Sequence, residues 1–174
     1  VVVLRGGKTM LNMDFAERVV INTEDQEWLA SPMSGVWRKP LARESKEQGH
    51  ATSIVRYDAD SAFSEHDHPK GEEILVLEDN FSDHSGDYTK GQYFRNPEGF
   101  IHAPFSKEGC VILVKLHQFQ ADDKQHLLIN TENNEWLPGQ GDLKVMPLHS
   151  HLTESTALVY WPAGTKFKVH THFG

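Results

Sequence analysis

Short apolar segments separated by turn residues follow one another along the chain. The segments are rich in Val, Ile, Leu, Tyr and Phe, and Gly, Pro, Asp, Asn or Ser bound them, as is typical of β-strands. The predicted strands cover residues 51–57, 73–78, 92–95, 110–117, 144–148 and 156–161. Helical periodicity is weak, and only residues 13–20 are predicted to form a short helix. The pattern therefore predicts an all-β fold, either a sandwich or a barrel.

The chain also contains a long internal repeat. The segment INTEDQEWL at 21–29 recurs as INTENNEWL at 129–137, and the Pro-Leu pair at 40–41 recurs at 147–148. A repeat this long indicates a duplicated domain rather than a solenoid of short units. We expect residues 1–11 to be a frayed end or a remnant outside the fold. The two copies are expected at residues 12–119 and 126–174, and the second is incomplete.

Charge and cysteine content narrow the class of protein. Lys and Arg number 17 against 25 Asp and Glu, which gives a net charge of −8 and argues against a nucleic-acid partner. No apolar run approaches the ~20 residues that a membrane-spanning helix needs. Cys110 is the one cysteine, which excludes an intrachain disulfide and a cysteine-based zinc site. We therefore expect a cytoplasmic protein without a nucleic-acid or membrane partner.

Histidine is the residue type that points to chemistry, with 11 in the chain. His66 and His68 share one face of a strand, Glu72 follows four residues later, and a Pro-Glu-Gly turn precedes His102. Three imidazoles and one carboxylate suit Zn(II), Fe(II), Mn(II), Ni(II) or Cu(II). A His-x-His pair alone is more often two surface histidines. Glu73 competes with Glu72, because both strand faces are apolar and alternation does not decide between them.

This arrangement resembles the two sequence motifs of the cupin superfamily. The first motif is Gly-x5-His-x-His-x3,4-Glu-x6-Gly, and the second is Gly-x5-Pro-x-Gly-x2-His-x3-Asn. The matching positions are His66, His68 and Glu72 in the first motif, and Gly91, Pro97, Gly99 and His102 in the second. Asp60 and Asp79 stand where the first motif has glycine, and Ser106 stands where the second has asparagine. The resemblance implies a cupin jelly roll, duplicated, with a partial second unit.

Within the cupins, the chain looks like the ChrR cupin-like family. The Asn-Thr-x4-Trp-Leu opening, the Pro-Leu pair and the run His-x-His-Pro-x-Gly-Glu-Glu-Ile-Leu-Val-Leu-Glu carry this resemblance. It implies one divalent metal ion held by His66, His68, Glu72 and His102, and alignment with the family strand favours Glu72 over Glu73. Zinc ranks first, followed by iron, manganese or nickel. His170 and His172 would form a partial second site.

The resemblance leaves more than one function open. The first interpretation is a sensory, regulatory or small-molecule-binding metalloprotein, and the alternative is a non-haem dioxygenase acting on a small ketone or diketone. A metal-free isomerase ranks last, because all four ligand positions are kept. Catalytic residues are not assigned. Arg56 and Arg95 could hold a substrate carboxylate, but exposed strand arginines are the favoured interpretation.

The expected partners follow from the same resemblance. A small molecule would occupy the barrel pocket, and a homodimer would form through edge pairing. A sigma factor is a partner by family analogy only. The family's anti-sigma module holds zinc through histidine and cysteines. The one cysteine of this sequence, Cys110, lies inside the cupin, so direct binding of a sigma factor by such a module does not follow.

Overall fold

A computed structural model describes residues 10–46 and 48–166, whose regular elements are antiparallel strands apart from one short 3-10 turn. The strands are β1 Leu29–Ala30, β2 Val36–Arg43, β3 Ala51–Tyr57, β4 Ser61–Ala62, β5 His66–Asp67, β6 Glu72–Asp83, β7 Gly86–Thr89, β8 Gln92–Asn96, β9 Ile101–His102, β10 Phe105–Ser106, β11 Cys110–Leu116, β12 Leu127–Asn130, β13 Leu137–Pro138, β14 Lys144–His151 and β15 Glu154–Tyr160. A single 3-10 turn covers Thr23–Asp25 within this part of the chain. The prediction of an all-β fold is confirmed.

The predicted helix at residues 13–20 is wrong. The backbone N–H of Glu17 donates to the Asp14 carbonyl at 3.1 Å, and the Asp14 carboxylate accepts from the N–H of Ala16, also at 3.1 Å. A side-chain acceptor of this kind offers the backbone an alternative to a helix, so the segment makes one turn and stops. Leu11, which the sequence places in the frayed end, forms a bridge with Arg43. No helix in the described ranges is long and apolar enough to cross a membrane.

The chain divides into two compact units, the first ending at Leu128 and the second beginning at Ile129. In the first unit the strand order is β1-β2-β3-β11-β6-β10-β4. The long strand β6 pairs with β11 and β8 along its first half, and with β7 along its second half. It therefore belongs to two sheets and closes them around one interior.

Buried residues alternate with half-buried ones along β3 and along most of β11. On β3 the buried positions are Ala51, Ser53, Val55 and Tyr57, and the residues between them are half-buried. The apolar core also contains Val36, Ile74, Val76, Phe81, Tyr88, Phe94, Cys110, Ile112 and Val114. Packing of the two inner faces leaves one end of the interior open, where β5 and β9 meet. The candidate site lies at this open end.

A β-bulge in β2 changes which residues face the interior. Arg38 lies opposite Val55 and Pro40 opposite Ser53, but the register then shifts so that Arg43 lies opposite Ala51. A one-residue shift exchanges the two faces of a strand. As a result, Arg38 and Arg43 both lie on the side of the buried β3 residues.

The second unit contains an antiparallel sheet in the order β13-β14-β15. Its register places Leu137 opposite Val145, and a bulge follows between Pro147 and His149. This arrangement resembles β1-β2-β3, where Leu29 lies opposite Arg38 and the bulge follows Pro40. The predicted ligands His170 and His172 lie outside the described residues.

Candidate metal centre

Pairing between the short strands β5 and β9 brings His66 and His102 together. His66 on β5 lies directly opposite His102 on β9, and their ring centroids are 5.0 Å apart. His68 comes just after β5, with its ring 4.6 Å from that of His66. One ring nitrogen of each of the three histidines lies within 4.8 Å of the others. Three imidazoles from separate positions of the sequence thus converge on one point.

A tight turn brings Glu72 to the same point. The backbone N–H of Gly71 donates to the His68 carbonyl at 2.9 Å, and both Lys70 and Gly71 have positive φ. Glu72 opens β6 with its carboxylate buried. Its Oε1 lies 3.3 Å from His68 Nε2, and its Oε2 lies 3.4 Å from His102 Nε2.

Glu73 points to the opposite face of β6. Its carboxylate accepts from the Tyr93 hydroxyl and lies 3.4 Å from Lys115 Nζ and 3.7 Å from Arg95 Nη1. The negative charge of Glu73 is therefore balanced by Lys115 and Arg95 on the other side of the sheet. The carboxylate beside the histidines belongs to Glu72.

Hydrogen bonds from neighbouring residues fix the orientation of His66, His102 and Glu72. Nδ1 of His66 donates to the Ser64 carbonyl at 2.6 Å, which leaves Nε2 as the acceptor nitrogen. His102 Nδ1 lies 3.2 Å from the buried carboxylate of Asp83, and the Asn96 amide donates to Glu72 Oε2 at 3.2 Å. Such outer hydrogen bonds orient metal ligands and raise their basicity.

Burial and charge act differently on two of the histidines. Burial lowers the pKa of His68 below its ordinary value, and the opposing charge of Glu72 does not fully offset it. Burial also acts to lower the pKa of His102, but the hydrogen bond to Asp83 and the charges of Glu72 and Asp83 outweigh it. The pKa of His102 is therefore raised. The pKa of Asp83 is lowered, because hydrogen bonds from His102 and the Ser85 N–H outweigh the effect of burial.

The donor set suits a divalent transition metal ion. Imidazole nitrogens and one carboxylate oxygen are borderline-hard ligands of the kind that Zn(II), Fe(II), Mn(II) and Ni(II) accept. Four such ligands would saturate a tetrahedral ion, whereas they would leave two positions of an octahedral ion for small molecules.

Two cavities with shared lining residues lie beside His66 and His68. The inner cavity, of about 80 Å³, is lined by His66, His68 and Glu72 together with the rings of Tyr57 and Phe63. The outer cavity, of about 590 Å³, shares the two histidines and Phe63 with the inner one. Arg38 and Arg43 line both cavities.

The structure corrects the expectation for one arginine. Arg95 is fully buried instead of exposed: its Nη2 lies 2.7 Å from Asp123 Oδ2, and its guanidinium lies 3.9 Å from the centre of the Phe119 ring. Arg56 stays on the outer face of β3, over the rings of Trp28 and Trp37.

Sequence reasoning missed the two arginines and two polar residues that surround the site. The missed residues are Arg38, Arg43, Asp83 and Asn96. Pro40 inside a strand is a signal for a bulge, and it could have indicated the change of face that brings Arg43 inward. Asp83 and Asn96 act on residues 19 and 24 positions away, so no local pattern marks them.

The fold is shared with solved structures of other proteins. Solved structures of similar fold include a protein from Nostoc punctiforme described as a "putative dioxygenase", with 14% identity and a TM-score of 0.59 over 73% of this chain and 52% of that one. Another, from Methylibium petroleiphilum, is described as a "putative acetylacetone dioxygenase", with 17% identity and a TM-score of 0.52 over 67% of this chain and 91% of that one. At these identities the likeness shows the cupin fold alone.

The crystal structure of Rhodobacter sphaeroides SigE in complex with the anti-sigma factor ChrR also matches. Its identity is 21% and its TM-score 0.45, over 55% of this chain and 51% of that one. The protein therefore covers about half the length of the matched chain in that complex, and about half the length of the Nostoc protein. No match is found among curated proteins.

The family assignment comes from the sequence. The family model of the ChrR Cupin-like domain matches residues 16–120 and 124–174, which together make up most of the chain. The chain belongs to the ChrR cupin-like family, as the sequence motifs predicted.

Proposed function

We propose that the first unit is a metal-binding cupin that holds one divalent transition metal ion through His66, His68, Glu72 and His102. The observation that carries the proposal is the convergence of three imidazoles and one carboxylate, with Glu72 bridging His68 and His102 at 3.3 and 3.4 Å. Bound there, the ion would supply positive charge, and an octahedral ion would also keep two coordination positions for small molecules.

We further propose that the metal centre serves to bind a small molecule. The cavities beside His66, His68 and Glu72 support the binding of a small molecule, and a sensory or regulatory role would use that binding as its signal. The compartment we propose is the cytoplasm, because Cys110 is a buried free thiol and free thiols are typical of reducing compartments.

Metal analysis of the purified protein tests the site. We expect about one equivalent of zinc, iron, manganese or nickel in the wild type, and little in His66→Ala or His102→Ala, because each variant removes one of four ligands. His84→Ala is the matched control, since His84 is exposed in a turn. Equal metal content in all four proteins would refute the assignment.

A second candidate function is a non-haem dioxygenase that acts on a small ketone or diketone. The open coordination positions of an octahedral ion and the adjoining inner cavity of about 80 Å³ favour it, together with the likeness to two structures described as dioxygenases. The test is oxygen consumption by the iron-loaded protein with acetylacetone as the probe. Uptake that disappears in His102→Ala would support this activity, and no uptake above the metal-free protein would exclude it for this probe.

A further inference from the structure

We propose that the cavities beside the metal centre take a small organic acid, whose carboxylate is held by Arg38 and Arg43 while its other end faces the histidines. This inference rests on the proposed function, because the far end of the ligand is placed beside the bound ion. It adds the class of ligand, an anion, and the two residues that recognise it.

The bulge in β2 places Arg38 and Arg43 on the same face of the strand. Without it, alternation from Arg38 would continue through Pro40 to Ala42 and turn Arg43 outward. The register shift between Pro40 and Ala42 instead sets Arg43 opposite Ala51. The fold thus places two arginines on the inner face of one strand, where an apolar core would normally continue.

Small neighbours leave space in front of the two arginines. Ala51 and Ser53, the buried β3 residues nearest the open end, are the smallest on that face of the strand. Both arginines line the inner cavity of about 80 Å³ and the outer one of about 590 Å³. The space suits a molecule of a few carbon atoms next to the histidines.

The charges around the cavities favour an anion. Besides the arginines and histidines, the charged residues that line them are Glu72, which adjoins the histidines, and Asp67 at the outer cavity. A bound divalent ion would add two positive charges, so the lining becomes positive although the whole chain carries −8. Electrostatic focusing in a cleft attracts ligands of opposite charge.

The chemistry of the guanidinium group selects the kind of anion. Its planar fork of N–H donors matches the two oxygens of a carboxylate. One N–H of Arg43 donates to the Lys46 carbonyl, which orients that side chain. The apolar rings of Tyr57 and Phe63 would contact the carbon skeleton. These features together describe a short keto or hydroxy acid.

Binding of two probes of equal size tests the inference. Acetoacetate and acetylacetone have the same number of non-hydrogen atoms, but only acetoacetate carries a carboxylate. Calorimetric titration of the zinc-loaded protein is expected to show acetoacetate binding at least about 10-fold tighter, the scale of a hydrogen bond to a charged group. Equal binding, or no binding of acetoacetate at millimolar concentration, would overturn the inference.

Arginine variants identify the residues responsible. We expect Arg38→Gln and Arg43→Gln each to weaken acetoacetate binding by about 10-fold or more, and to weaken acetylacetone binding by a smaller factor because that probe carries no charge. Arg56→Gln is the matched control, because Arg56 lies on the outer face of β3 against Trp28 and Trp37. Unchanged acetoacetate binding in both inner variants would refute the role of these arginines.

The same proteins separate this inference from the proposed function. Zinc titration of the two arginine variants is expected to match the wild type, because neither arginine is a proposed ligand. Normal zinc uptake with no preference for acetoacetate would refute the carboxylate site alone. If the wild type takes up no zinc, the proposed function fails. Acetoacetate binding to the metal-free protein that is lost in Arg38→Gln and Arg43→Gln would then still support recognition by the arginines.

Discussion

Single residues explain how this sequence keeps the cupin backbone while departing from its motifs. Asp60 and Asp79, which replace motif glycines, have φ angles of 58° and 57°, in the left-handed region. Aspartate is among the few residues that tolerate this conformation at modest cost. Ser106, which replaces the motif asparagine, donates to the Asn80 carbonyl at 2.6 Å. The two aspartates therefore adopt the left-handed backbone conformation that glycine favours.

Asp83 is a positioning residue for His102, and Asp83→Asn tests this role. The variant removes the negative charge of Asp83, which helps to raise the pKa of His102, while burial continues to lower that pKa. The pKa of His102 in the metal-free protein is therefore expected to fall. Histidine NMR titration measures it. We also expect metal affinity to drop about 10- to 100-fold, as for other outer hydrogen-bond partners of ligands.

Asp87→Asn is the control for that variant, since Asp87 is exposed and bonds to Ser82 at 2.6 Å. A His102 pKa and a metal affinity in Asp83→Asn that both equal those of the wild type would contradict the role given to Asp83.

At the scale of elements, the turn between β5 and β6 decides whether Glu72 meets the histidines. Gly71 has a φ of 76°, and a Cβ atom there would lie 2.6 Å from the Phe119 ring. Both the backbone conformation and the close approach of the ring require glycine. Phe119 in turn covers the buried guanidinium of Arg95. The turn is therefore held from the outside of the sheet.

Gly71→Ala is expected to lower the free energy of unfolding by at least about 2 kcal/mol, through backbone strain and the clash with Phe119 together. Metal affinity should fall with it, because the turn carries His68 and Glu72 at its two ends. Chemical denaturation of the metal-free protein measures the first effect.

Gly99→Ala is the matched comparison, because Gly99 has a φ of 89° but open space around its Cβ position. It should cost about 1 kcal/mol from strain alone. Equal losses of stability in the two variants would show that contact with Phe119 does not matter.

The elements also show what the sequence can and cannot predict. Alternation and turn residues predict β3 with its observed bounds and β11 to within one residue, because one buried face determines both strands. The motif spacing predicts His66, His68, Glu72 and His102 as neighbours. The interior position of Arg43 depends on a bulge, and the contact between Asp83 and His102 depends on tertiary folding. Neither follows from local pattern.

For the whole molecule, metal binding is expected to couple to stability. The four proposed ligands come from β5, β6, β9 and the turn after β5, so an ion would join strands that are otherwise linked by few hydrogen bonds. A ligand that binds only the folded state at a concentration of one hundred times its Kd adds about 2.7 kcal/mol to the free energy of unfolding.

We therefore expect zinc at that excess to raise the melting temperature of the wild type and excess EDTA to reverse the rise. His66→Ala should show little of this stabilisation, whereas His84→Ala should show all of it. Differential scanning calorimetry makes the comparison. Equal stabilisation of the wild type and His66→Ala would place the effective ion elsewhere.

The location of the ion is the central claim, and anomalous diffraction from a crystal of the zinc-loaded protein tests it most directly. The account predicts one strong anomalous peak about 2.0–2.2 Å from a nitrogen of His66, His68 and His102 and from an oxygen of Glu72. A zinc peak bound only by other residues, or no peak among these four side chains at full zinc loading, would contradict it.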